Sequence, residues 1–168
     1  MRTGEDMNFR EEPNTGDLLH VSRILEERGI FRANEIAVAL ELVQDRIDKG
    51  KSSEYMFLFM DGENELDGFA CYGPISVTQS CYDLYWIAVR KGSGRSGIGG
   101  RMMEMLCKRA RGEGGTWIFA ETSTLEGYAP AREFYLKSGF GQTCTVPDFY
   151  APGDGKIIFR KALGNVPD

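Results

Sequence analysis

Apolar positions along the chain follow two periods. In "DLLHVSRILEER", from Asp17 to Arg28, Leu18, Val21 and Leu25 fall on one helical face, and in "NEIAVALELVQDRIDKG" Ile36, Leu40, Val43 and Ile47 do the same. Asp17 and Asn34 stand where N-caps belong, and Gly29 and Gly50 where helices stop. The pattern then shortens. "EYMFLFMD" and "ELDGFACYG", separated by "DGEN", predict an antiparallel hairpin, and "CYDLYWIAV" predicts a third strand running into a glycine-rich stretch. Beyond it the spacing predicts a helix over 102–111, a strand "TWIFAE" from Thr116, and a helix "APAREFYLKSGF" from Ala129 closed by Gly139. Two short strands, near 141–146 and 156–160, flank the turn "APGDG". Two helices, an antiparallel meander, one strand-helix-strand crossover, a further helix and a terminal hairpin describe an α+β fold, a mixed and mostly antiparallel sheet with one parallel pair. The length of 168 residues suits one domain, expected over 17–168 behind a polar, turn-rich segment 1–16 that reads as flexible.

Composition narrows the function. A formal net charge of −5 with a single histidine supplies no basic stripe for nucleic acid, so an anionic ligand has to be met locally. Cys71, Cys81, Cys107 and Cys144 lie far apart, with no C-x-x-C pair and no nearby histidine, so no metal site is expected. No stretch is apolar enough to span a bilayer or to form the centre of a secretory signal, and a soluble, reduced, cytoplasmic chain is the expectation.

The stretch "KGSGRSGIGGRMM", Lys91 to Met103, can be parsed in two registers. Gly92, Gly94 and Gly97 spell G-x-G-x-x-G, and Glu121 after the next strand sits where a ribose-binding acid belongs in a dinucleotide fold. Topology counts against that register, because the motif lies mid-chain behind antiparallel strands and too few residues follow for a second half. Gly99 and Gly100 would each cost a helix interior about 1 kcal/mol relative to alanine, which makes sense where that backbone meets a ligand. A Walker loop fails for want of a Lys-Ser or Lys-Thr pair after the glycines. In the second register "RSGIGG" offers the N–H groups of about residues 95 to 100 to a pyrophosphate at a helix N-terminus.

With "LYWIAV" before this loop and "APAREFYLKSGF" after it, the chain from about Cys81 to Phe140 resembles the GNAT superfamily of acetyl-CoA-dependent N-acetyltransferases. The resemblance implies a sheet whose fourth strand splays from the fifth. The backbone of Ile87, Ala88 and Val89 would meet the pantetheine arm, and Arg95, Ser96, Gly97, Ile98, Gly99 and Gly100 would cradle the phosphates. Tyr128 and Ala131, at the start of the later helix, are further cofactor-side positions, although Tyr128 stands where the family commonly has asparagine. Gly94 replaces the usual Gln or Arg at the start of the loop, with Arg95 beside it to compensate.

The same resemblance implies a direct transfer of acetyl from acetyl-CoA to a primary amine of a small molecule or protein, and it allows a homodimer. Tyr135 matches the family's tyrosine that donates a proton to the leaving thiolate. Glu121 and Asp83 are the candidate bases, each able to act through water, and alternation leaves open which way Asp83 points. A backbone N–H of Ala88 or Val89 would polarise the carbonyl. Tyr72, Tyr85, Trp86, Asp148 and Tyr150 are candidate walls for a cationic acceptor, with burial as core the alternative. Two other functions stay open on the residues alone, a nonenzymatic acyl-CoA-binding module and a nicotinamide dinucleotide enzyme.

Overall fold

The computed structural model describes residues 9–93 and 97–164. Its elements run β1 (Phe9–Arg10), α1 (Asp17–Arg28), α2 (Ala33–Lys49), β2 (Met56–Asp61), β3 (Leu66–Pro74), β4 (Cys81–Val89), α3 (Ile98–Gly112), β5 (Trp117–Ser123), α4 (Ala129–Lys137), β6 (Gly141–Ala151) and β7 (Asp154–Ala162). The strands are hydrogen-bonded in the order β1-β2-β3-β4-β5-β7-β6. The pair β4 and β5 is parallel, whereas β1–β2, β2–β3, β5–β7 and β6–β7 are antiparallel. The mixed sheet with one crossover is the architecture that the hydrophobic pattern predicts. Backbone contacts group it into two compact units, one formed by the chain up to Tyr72 with Trp86–Leu106, the other by Gly73–Tyr85 with the chain from Cys107 onward.

In the first unit, α1 and α2 turn Val21, Ile24, Leu25, Ala39 and Val43 onto Phe57, Phe59 and Phe69 of β2 and β3. Each such aliphatic or aromatic side chain contributes about 1.5–3 kcal/mol when removed from water. Gly68 of β3 permits close packing, since a Cβ there would stand 3.0 Å from the Ala88 carbonyl oxygen and 3.0 Å from the Met102 sulfur. Gly29 ends α1 in the left-handed region at φ 68°, as its position predicts. Gly50 likewise caps the end of α2, whereas the two predicted N-terminal caps do not form. Asp17 is the first residue of α1 and is buried, and its carboxylate takes the Arg10 guanidinium at 2.8 and 2.9 Å instead of serving the helix N-terminus as its cap. Asn34 lies inside α2, whose N-cap is Arg32, with the Arg32 N–H donating to the Glu35 carboxylate at 2.7 Å. β1 carries no periodic signal in two residues. It pairs with β2, and Arg10 joins Asp17 to Asp61 while lying over the Phe59 ring.

The second unit contains the ladder of Cys81–Leu84 of β4 with Trp117–Ala120 of β5, followed by β7 and then β6. Tyr82, Leu84, Ile118, Ala120, Ile157 and Phe159 are its buried face. Both terminal strands are longer than the apolar pattern predicts, because β6 is exposed along almost its whole length and so carries no hydrophobic signature to read.

Candidate active site

In the first unit, Gly97 adopts φ 74°, a left-handed conformation that glycine takes without strain, and α3 begins at the next residue. The helix thus starts at Ile98, four residues before the predicted Met102, and Gly99 and Gly100 form its first turn. The Arg101 N–H donates to the Gly97 carbonyl at 3.1 Å, so the N–H groups of Ile98, Gly99 and Gly100 precede the first helical bond and have no acceptor within the helix. A Cβ added at Gly100 would meet nothing within 4 Å. The protein's own packing therefore does not require glycine there, although glycine costs a helix stability. Arg95 and Ser96, the other cradle residues expected from the sequence, lie outside the described residues, as does Gly94.

At the end of β4, Ala88 and Val89 are buried and Ile87 is half-buried. Arg28, the last residue of α1, donates from its guanidinium to the Val89 carbonyl, so that acceptor is already engaged. Trp86 packs on the core of this unit, edge-on to Phe31 with ring centroids 5.3 Å apart, and Tyr72 is buried at 2% exposure. Neither serves as a free wall for an acceptor, and the structure assigns both to packing.

The second unit holds the acids. Asp83 lies opposite Phe119 in the parallel ladder, and Glu121 two residues further along β5 shares that face, so both acids project from the side opposite the buried core. Glu121 lies inside β5, two residues short of its end, where the sequence placed it at the terminus. Its Oε2 is 3.0 Å from Nζ of Lys156 on β7, and the same ammonium stands 3.8 Å from the centroid of the Phe149 ring. Burial raises the Asp83 carboxyl above the usual carboxylate range, the charge of Glu121 raises it further, and Lys156 opposes both. Tyr85 and Tyr150 are exposed, Tyr150 standing edge-on to Phe149 at 5.0 Å. Asp148 is engaged by its own turn, where it adopts φ 52° and its carboxylate accepts the Gly153 N–H at 2.7 Å. Lys156 was not legible as a neighbour of Glu121, because only the cross-strand register brings it there.

Tyr135 lies on the inner face of α4, among Phe134, Phe140 and Phe159 with centroids 5.9, 5.5 and 5.6 Å away. Pro130 in the first turn starts this helix, and Arg132 ties it to the end of β5 by donating to the carbonyls of Ser123 and Leu125, each at 2.8 Å. The Tyr135 side chain is only 8% exposed. Burial, with a smaller contribution from Tyr150, pushes the phenol up to about 12. Tyr128 is the N-cap of α4, its N–H donating to the Leu125 carbonyl at 3.0 Å, and Ala131 is half-buried in the first turn.

Among the described residues no cluster of histidine, cysteine, aspartate and glutamate could hold a metal ion, all four cysteines are unpaired, and no helix is long and apolar enough to cross a membrane. A sequence model of the acetyltransferase (GNAT) family matches residues 22–140. No curated protein sequence matches the chain. Among solved structures, the chain is similar to a Desulfovibrio desulfuricans protein assigned to the GNAT family of acetyltransferases, at 39% identity and TM-score 0.90, over 94% of this chain and 99% of that one. The ribosomal-protein-S18-alanine N-acetyltransferase of Escherichia coli shares the fold at 18% identity and TM-score 0.73, over 96% and 97% of the two chains. A Salmonella typhimurium protein solved with its cofactor acetyl-CoA does so at 16% identity and TM-score 0.71, over 97% and 98%.

Proposed function

The chain belongs to the GNAT family of acetyltransferases, and we propose on that basis that it moves the acetyl group of acetyl-CoA to a primary amine of a small molecule or protein by direct attack. The observation that carries the cofactor half of this reading is the first turn of α3, where Gly100 occupies a position that the protein's own packing leaves open. Residues 97–100 would hold the phosphates through backbone N–H groups and the positive end of the helix dipole. When bound, acetyl-CoA supplies the acetyl group as a thioester. The protein's part is to hold the carbonyl oxygen on a backbone N–H of Ala88 or Val89, to receive the proton of the attacking amine, and to stabilise the departing sulfur.

Tyr135 suits the last task as a hydrogen-bond donor. A free thiol has a pKa of about 8.5, and the Tyr135 phenol is pushed up to about 12, so full transfer of its proton to the thiolate is uphill. What the phenol offers is an O–H donor on a ring packed among Phe134, Phe140 and Phe159. Glu121 and Asp83 are the acids that would accept the amine's proton through water, and their negative charge suits an acceptor that arrives as an ammonium.

A thermal-shift series with acetyl-CoA, free CoA and NAD, followed by thiol release across an amine panel, tests the reading. Stabilisation by the two CoA species and thiol release with at least one amine are expected. Stabilisation by NAD alone would overturn the cofactor, and CoA binding without thiol release for any amine would overturn the transfer in favour of a binding module.

A further inference from the structure

The ion pair between Lys156 and Glu121 differs from an ordinary cross-strand pair in its surroundings. Exposed pairs contribute little, because water serves both ions nearly as well. The Lys156 side chain is only 13% exposed, against 46% for Glu121, so the ammonium has given up most of its water for one carboxylate and one aromatic face. Lys156 faces Ser123 in the register of β5 with β7, two residues from the pair of Glu121 with Ile158, which puts it on the same face as Glu121 and Asp83. Its charge is felt at Asp83 as well, where it opposes burial and the charge of Glu121.

We propose that Lys156 is the positioning residue of the acceptor side: it pins the Glu121 carboxylate and the Phe149 ring, and it lets Asp83 and Glu121 stand together as anions before the incoming amine. This rests on reading those two acids as the acceptor-side pair. Two carboxylates against one ammonium leave a single net negative charge, the complement of a monocationic primary amine. Other charged or titratable groups border this side. Arg160 lies over the Trp117 ring at 4.5 Å, Asp148 is held by the Gly153 N–H, and buried Asp154 accepts from the hydroxyl of Ser123, the residue opposite Lys156. Cys81 and Cys144 are unpaired thiols, and Tyr85 and Tyr150 are exposed phenols. Without Lys156 the charge of Glu121 acts on Asp83 with the opposing cation removed, which favours the protonated Asp83 carboxyl.

Lys156→Met keeps the stem and removes the charge, whereas Lys156→Arg keeps the charge. The Asp83 carboxyl, followed by carbon NMR in the full chain without substrate, should titrate about one pH unit higher in Lys156→Met than in the unchanged protein, and Lys156→Arg should restore it. The acid limb of kcat/KM for the best amine should move upward with it and return in the arginine variant. An Asp83 titration identical in all three proteins overturns the proposal. So does an acid limb that stays in place while the titration moves. Absence of turnover in the unchanged protein bears on the proposed acetyl transfer and leaves the NMR titration as the direct reading of Lys156.

Discussion

The glycine turn at the head of α3 and the acidic face of β4, β5 and β7 are built in opposite ways. The first is contiguous, made of main chain, and has side chains removed from the place where a ligand would lie. The second draws Asp83, Glu121 and Lys156 from three strands and depends on side-chain charge. A backbone cradle recognises what is common to every reaction cycle, because N–H groups and a helix dipole offer the same contacts whatever residues surround them. A side-chain cluster can be retuned by single substitutions, so it is suited to choosing among acceptors.

The contrast breaks most visibly at Gly100. Replacing it by glutamate puts a negative charge where phosphates would lie, and acetyl-CoA affinity should fall roughly 100-fold while the fold persists, since the added side chain meets open space. Calorimetric titration with acetyl-CoA checks this, and unchanged affinity would show that the turn is not the cradle. Tyr135→Phe should separate chemistry from binding. Turnover is expected to fall roughly 10- to 100-fold with acetyl-CoA affinity unchanged, because one donor to developing charge is lost and no ground-state contact goes with it. Steady-state kinetics together with the same titration read both quantities.

On the acidic face, Asp83→Asn should lower kcat/KM about tenfold and move its acid limb to lower pH. The sign follows from the raised carboxyl. Asp83 takes up a proton sooner than an ordinary aspartate as pH falls, so activity that needs the anion is lost early, and removing the group removes that early loss. A pH profile of kcat/KM decides it. The smallest effect is expected from Gly100→Ala. The helix should gain up to about 1 kcal/mol and Tm should rise by about 2–4 °C. Acetyl-CoA affinity should fall only a few-fold as the Cβ crowds the cradle, and a melting curve with and without the ligand measures both changes.

Much of this was legible in the chain. β4 matches its predicted range, Cys81–Val89, because an apolar run between turn residues leaves little choice. The family resemblance marked Gly97 to Gly100 because a loop motif is local and its spacing survives in one dimension. The start of α3 was not legible, since two adjacent glycines read as a break in a helical pattern. The walls expected from aromatic content divided by burial. Tyr72 and Trp86 went into packing, and Phe149, which no pattern singled out, came to lie against Lys156.

By itself, the sequence determined the order of elements and the mixed sheet with its single crossover. Each of these is written in residues near one another along the chain, where period, capping and turn chemistry act. Only the tertiary structure decided which acids share a face, that Lys156 joins them, and that Arg28 takes the Val89 carbonyl. Those relations join residues tens of positions apart through strand register and helix packing, and a one-residue slip in register would turn each strand's acids to the opposite face.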